Sequence, residues 1–270
     1  LMTVGIGAIA DAEENPKAVV AADRLITTHQ HSSIEHEHPE AKITEVARGH
    51  DLINSYAIVA GSISLGDELI QNIGQRIIEV QQGDSDSTLN METLAQIAGS
   101  EYRTLTKQKV QNTVLSDYGL RYEDLQRQHQ FKDDFFQSIR TEVEQTAEYI
   151  QSHMTMLLAG VDATGAHIFV IENGDVSRQS KTGYATIGSG VQPAQSAFIK
   201  NGHSRQAEFN DTLVSVTEAL KRSEQARGVG GKKDIAVVGQ YFSEKANDEV
   251  IEELISRQDE IDSEQQEVKS

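Results

Sequence analysis

Apolar residues fall in short clusters, and their spacing switches between strand and helix periods along the chain. Residues 3–10 (TVGIGAIA) and 18–22 (AVVAA) are apolar runs of strand length across the charged turn DAEENPK, which predicts a hairpin. A polar, His-rich loop is expected over 27–40. An alternating strand is expected at 41–47, then an apolar run at 56–63 interrupted by Gly61. The period then changes. Leu65, Leu69, Ile73, Ile77 and Val80 share one helical stripe that Gly83 ends, and this stripe reads as core. Met91, Leu94, Ile97 and Ala98 open a second helix running to about Val110. A Tyr118-Gly119 break lies within 113–135. Phe136, Ile139, Val143, Ala147 and Ile150 then mark a third amphipathic helix. Strands return at 156–161 and 167–172 around the turn at 162–165, and at 184–187 before Gly188-Ser189-Gly190. Helices at 194–200 and 210–225, a strand at 234–238 and a helix around 247–255 complete the order.

Hairpins segregated from helical pairs predict an α+β protein, a four-layer αββα sandwich of two antiparallel sheets flanked by helices. One domain is expected over 1–257, with a helical insertion near 113–135. The Asp-, Glu- and Gln-rich stretch 258–270 is expected to be a frayed, solvated tail.

Composition narrows the chemistry. The 270 residues carry 24 Lys plus Arg against 42 Asp plus Glu, a net charge of −18. Such a surface repels nucleic-acid backbones and anionic membranes, so neither is expected as a partner. There is no cysteine, which excludes disulfides, thiolate metal sites and a cysteine nucleophile. No apolar run reaches the roughly 18–20 residues of a membrane span, and no charged-then-apolar leader precedes the first strand. A soluble, cytoplasmic protein is the expectation.

Two motifs invite other readings. Gly5-Ile6-Gly7-Ala8-Ile9-Ala10 fits G-x-G-x-x-A, and Asp23 follows Gly5 by 18 residues, as in a dinucleotide-binding unit. That unit needs a crossover helix whose N-terminus holds the pyrophosphate. The short segment between the two strands, which contains Pro16, cannot supply one. His29, His31, His36 and His38 form two H-x-H pairs that could ligate zinc or copper, but the interleaved Ser, Glu and Gln read as a solvated loop. No metal site is assigned.

An ordered set of segments resembles another group. Thr3-Val4-Gly5-Ile6, Val19 to Asp23 with Thr27 behind it, Ala41-Lys42-Ile43 and Val59-Ala60-Gly61 resemble the first four strands of proteasome β-type subunits. Ala159 to Asp162, Tyr184 to Gly190 and Gly230-Gly231 before Asp234 to Val238 resemble that family's later strands. The likeness implies the N-terminal-nucleophile hydrolase sandwich, commonly assembled into rings or related oligomers. It implies no cofactor. It also implies a peptide or protein substrate, without naming an unfoldase partner.

The resemblance assigns roles residue by residue. Thr3 matches the nucleophile, whose own α-amine serves as base; that amine titrates near pH 8. Asp23 and Lys42 match the pair that tunes the proton transfer, and Ser189 matches the serine beside the nucleophile. Gly61 matches the oxyanion donor, and Thr27 matches a residue whose backbone holds substrate as an extended strand. Singly, these positions also read as a sheet-end ion pair, a bulge and a turn serine.

Two registers are open at the N-terminus. An ungapped match of TVGI places Leu1 at the nucleophile position, and the protein would be inert. Taking Met2 as the initiator, removed because a small residue follows it, frees Thr3 instead; a two-residue shift keeps Thr3 on the same strand face. Ala226 and Val229 stand where the family usually carries an Asp and a Ser that steady the amine, with Glu224 or Arg227 as possible substitutes. The leading expectation is a threonine-type hydrolase acting through an acyl-threonine intermediate and forming a homo-oligomer. The alternative is a catalytically inactive scaffold subunit of the same fold.

Overall fold

The hairpin expected at the start of the chain forms as β1 (Val4–Ala10) and β2 (Lys17–Asp23), with Gly5 opposite Ala22 and Ala10 opposite Lys17. The strands are antiparallel and no helix joins them, so the G-x-G spacing has a packing role. A Cβ on Gly5 would lie 2.8 Å from the Ile187 side chain and 2.9 Å from that of Ile58. Only a bare backbone fits where the two sheets close on each other.

The computed structural model describes residues 3–30, 32–37, 42–50, 53–83 and 89–267. After the hairpin come β3 (Leu25–Gln30), β4 (Ser32–Glu37), β5 (Ile43–His50) and β6 (Ile53–Gly61). Helices α1 (Ile63–Gly83) and α2 (Met91–Thr113) follow, then two short 3₁₀ helices (Leu115–Tyr118 and Tyr122–Gln130) and α3 (Asp133–Ser152). Next are β7 (Met154–Asp162), β8 (Gly165–Glu172), β9 (Asp175–Arg178) and β10 (Tyr184–Gly188). Helices α4 (Val191–Lys200) and α5 (Phe209–Ser223), strands β11 (Lys233–Gly239) and β12 (Ser243–Lys245) and helix α6 (Asp248–Glu267) end the chain.

One sheet runs β10-β1-β2-β11-β12 and the other β5-β6-β7-β8-β9, all pairs antiparallel. Three apolar layers hold them. Ile9, Val20, Ala22 and Ile187 meet Ile58, Leu157 and Ile168 between the sheets. Leu69, Ile73, Leu94 and Tyr102 seal α1 and α2 onto the second sheet. Phe198, Val216, Leu220 and Ile251 seal α4, α5 and α6 onto the first. The architecture is the expected four-layer α+β sandwich. The Leu65–Ile77 stripe lies in its core, each residue at most 9% exposed.

Four segments differ from expectation. Much of the expected His-rich loop is a two-stranded ribbon, β3 on β4, with Leu25 opposite Glu37 and Gln30 opposite Ser32. Backbone pairing in a ribbon needs no apolar alternation, so the apolar pattern did not reveal it. Strands β9 and β12, of four and three residues, are too short to carry a periodic signal. The acidic C-terminal stretch continues α6 to Glu267 instead of fraying at 258. Ile251 and Gln258 are buried, Leu254 and Ile255 pack on the first sheet's core, and Arg257 pairs with Glu253 one turn back. A helix docked by that face propagates through Glu and Gln, both good helix formers. Among the described residues, no helix is long and apolar enough to cross a membrane.

Candidate active site

The apolar run of β2 ends on a carboxylate. Asp23 is fully buried, and backbone N–H groups converge on it: Val4 donates to Oδ1 at 2.8 Å, and Leu25 and Gly230 each donate to Oδ2 at 3.0 Å. A buried charge with this many donors is satisfied before any side chain reaches it. The Thr3 hydroxyl then donates to Oδ1. Lys42, just ahead of β5 in the other sheet, places Nζ 3.3 Å from each carboxylate oxygen and 2.7 Å from Thr3 Oγ1. Thr3, Asp23 and Lys42 therefore form one closed cluster bridging the two sheets.

Lys42 is held from two directions. Its backbone N–H donates to Asp234 Oδ2 at 3.2 Å, and Arg24 Nε holds the other oxygen of Asp234 at 2.7 Å. Burial pushes the Lys42 pKa below the ordinary lysine value, and the attraction of Asp23 opposes that shift without cancelling it.

The Gly188-Ser189-Gly190 turn cradles the Thr3 backbone. Gly190 N–H and Ser189 Oγ–H both reach the Thr3 carbonyl at 3.3 Å, while the Thr3 N–H lies 3.3 Å from Ser189 Oγ. Gly188 has φ 91°, and a Cβ there would overlap the Thr3 carbonyl oxygen. This is a position only glycine fills without strain.

The other residues singled out from the sequence are placed differently. Gly61 ends β6 with φ 121°. Ile43 lies opposite Ile58, so Gly61 stands at the same end of the second sheet as Lys42. It makes none of the hydrogen bonds described above to Thr3 or Asp23. Thr27 lies in β3 opposite Glu35. His29 and His36 fall on opposite strands of the ribbon, facing Ser33 and Ile26 across it; His31 and His38 lie outside the described residues. Among the described residues, no group of three or more His, Asp or Glu is arranged to hold a metal ion.

The turn carrying Ala226 and Val229 is closed by its own backbone, Ala226 N–H to Ser223 and Val229 N–H to Ala226. Glu224 pairs with Lys233 Nζ at 2.9 Å and not with Thr3. The sequence reading missed Lys233 and Asp234. Lys232-Lys233-Asp234 stands at the mouth of a strand, where charged residues ordinarily read as solvated. A surface cleft of about 500 Å³ lies elsewhere, between β8, β9 and β10; Glu172, Asp175 and Thr186 line it, and it shares no residue with the Thr3 cluster.

The fold is proteasome-like. No protein-family model matches the sequence, and no curated protein matches it. Solved structures do resemble it in fold. The Anbu Gly-1 mutant from Hyphomicrobium sp. strain MC1 superposes with a TM-score of 0.64 at 11% identity, covering 99% of this chain and 100% of its own. Anbu, described as an ancestral β-subunit, from Yersinia bercovieri superposes with a TM-score of 0.63 at 10% identity, covering 95% of this chain and 93% of its own. At these identities the likeness establishes the architecture and not the activity.

Proposed function

We propose that this protein is a threonine-type N-terminal-nucleophile hydrolase that cleaves peptide or amide bonds through an ester on Thr3. The observation that carries the reading is the Thr3 hydroxyl set between the Lys42 ammonium and the Asp23 carboxylate. A threonine in an ordinary sheet position has no need of two opposite charges on one hydroxyl, one fully and one partly buried.

Thr3 is 1% exposed, and its nitrogen in this chain is a peptide nitrogen, which is not a base. The reading therefore requires removal of the residues before Thr3. The freed α-amine would lie beside Ser189 Oγ. It takes the Thr3 Oγ1 proton as the oxygen attacks the substrate carbonyl carbon, and the carbonyl electrons move onto oxygen. Lys42, as an ammonium, stabilises the developing alkoxide and lowers the pKa of the amine beside it. Gly61 N–H is assigned to the oxyanion. Collapse expels the leaving amine, which carries off the proton held by the α-ammonium. Water, or another amine if the enzyme transfers, then attacks the ester with the α-amine again as base, releasing the acyl product and restoring Thr3. The β3 backbone at Thr27 is assigned to align an extended substrate. Assembly of copies of this chain into a homo-oligomer and a cytoplasmic setting belong to the same proposal.

The scaffold reading is favoured by one observation: Ala226 and Val229 offer no side-chain polar group near the amine, and Glu224 is engaged by Lys233. Intact mass on protein expressed from Met2, before and after an electrophile that bridges a threonine hydroxyl and its α-amine, separates the two. A mass beginning at Thr3 that gains one stoichiometric adduct, lost in Thr3→Ala, supports the hydrolase. A retained Met2, or a free Thr3 that never reacts, sinks it and leaves the scaffold.

A further inference from the structure

Lys233 is the residue directly across from Asp23 in the β2–β11 ladder. The Arg24 N–H bonds to the Lys232 carbonyl, so Asp23 and Lys233 form the close, non-hydrogen-bonded kind of antiparallel pair. A lysine in that position could neutralise Asp23 and compete with Lys42 for it. It does not. The Lys233 side chain is fully buried and its ammonium turns away, to the Gly230 carbonyl and to Glu224 Oε1 at 2.9 Å. Gly230 in turn donates its N–H to Asp23 Oδ2 at 3.0 Å.

We propose that Lys233, clamped by Glu224, is a positioning residue for the Asp23–Lys42 pair, and that this clamp takes the place of the side-chain support missing at Ala226 and Val229. It acts in two ways. The ammonium fixes the carbonyl of Gly230, so the N–H of the same residue stays aimed at Asp23 and the carboxylate keeps its orientation toward Thr3 and Lys42. The cation also adds positive potential at Lys42, which disfavours a second ammonium there; repulsion by Lys233 is among the causes of the depressed Lys42 pKa. Among the described residues, the other charges around Lys42 are Asp23 on β2, Asp234 on β11 and Arg24 behind Asp234. Glu224, at the end of α5, sets how much of the Lys233 charge Lys42 feels.

The inference rests on the reading of Thr3 as nucleophile, yet its first test does not depend on activity. The Lys42 side chain is titrated by NMR in protein carrying ¹³Cε/¹⁵Nζ-lysine, its signal assigned by loss in Lys42→Met. Lys233→Met should raise the Lys42 midpoint, Glu224→Gln should lower it, and Lys233→Arg should leave it near wild type. In active enzyme the alkaline limb of kcat/KM should move in the same directions, with kcat lowered on the order of 10- to 100-fold in Lys233→Met. Should Lys233→Met fail to fold, the half-exposed Glu224 supplies the folded variant. An unmoved Lys42 titration in folded Lys233→Met, or in Glu224→Gln, overturns the proposal whether or not the wild type is active. Failure of Thr3 to form an adduct overturns the hydrolase reading instead.

Discussion

Lys42 Nζ lies 2.7 Å from the Thr3 hydroxyl and 3.3 Å from both oxygens of Asp23, so one ammonium serves the hydroxyl and its carboxylate partner together. Lys42→Met removes the donor to Thr3 Oγ1 while filling the same space. We expect kcat to fall about 10²–10⁴-fold, the range lost with a positioned proton-transfer group. Circular dichroism should be unchanged. Near-wild-type turnover in that variant would assign Lys42 a purely structural role.

Asp23 carries more of the stability. Asp23→Ala strands the N–H groups of Val4, Leu25 and Gly230 and leaves Lys42 without its counter-ion. Removing one member of a buried, hydrogen-bonded pair costs about 3–5 kcal/mol. Chemical denaturation should read that loss in Asp23→Ala, with a midpoint shift and an unchanged slope. A loss under about 1 kcal/mol would mean that water replaces the carboxylate.

The cluster was reached from the sequence through the resemblance to proteasome β-type subunits, which matched residues at the ends of the apolar runs. Asp23 closes AVVAA, Lys42 opens the next strand, and Ser189 lies in a Gly-Ser-Gly turn. The period of the apolar runs located the strands, whereas the meeting of their ends was implied by the resemblance alone. The register at Thr3 was not legible, because alternation places Leu1 and Thr3 on one face equally well; the hydrogen bonds of the Thr3 hydroxyl to Asp23 and Lys42 support the proposal that Thr3 is the nucleophile. Lys233 was hidden for another reason. A lysine at a strand mouth reads as solvated, and its burial depends on Gly230 and Glu224, which arrive from a turn and a helix end. The β3–β4 ribbon escaped because its pairing lies in the backbone.

The Thr3 carbonyl occupies the space beside Gly188, so Gly188→Ala should displace Thr3 as well as disturb the turn. The positive φ alone costs about 1–3 kcal/mol for a side chain. Gly202 has φ 60° with nothing within 4 Å of a Cβ, so Gly202→Ala isolates the backbone cost. Both variants should lower the thermal midpoint, and only Gly188→Ala should also slow adduct formation at Thr3. Equal adduct rates in the two would show that the turn tolerates the displacement.

The depressed pKa of Lys42 fixes a direction for pH. Its folded value lies below the unfolded one, so between them the unfolded chain binds more protons and stability rises with pH. The destabilising contribution is fully present below the folded pKa and vanishes above the unfolded one. If the ammonium is the working form, activity runs the other way and falls as pH climbs through the folded pKa. Hydrolysis should therefore decline at a pH where the protein is not losing stability, and Lys42→Arg, which stays charged, should remove that alkaline decline. A decline that survives in Lys42→Arg would assign it to another group.

Acid should unfold the protein through a different carboxylate. Asp162 accepts from Met91 N–H at 2.8 Å, from Thr164 N–H at 2.8 Å and hydroxyl at 2.6 Å, and faces His167 Nε2 at 3.2 Å, tying the β7–β8 turn to the start of α2. Burial pushes its pKa up, but the hydrogen bonds from His167, Thr164 and the Met91 backbone outweigh burial and hold it well below the usual carboxylate range. A depressed carboxylate contributes stability that is complete above its unfolded pKa and is lost as pH falls toward the folded one. Asp162→Asn should be destabilised at neutral pH by about 1–3 kcal/mol, since its amide cannot accept at both oxygens. It should also show a shallower loss of stability below pH ~4, the unfolded Asp value. Parallel wild-type and variant stability curves down to that range would exclude Asp162 as a main source of acid sensitivity.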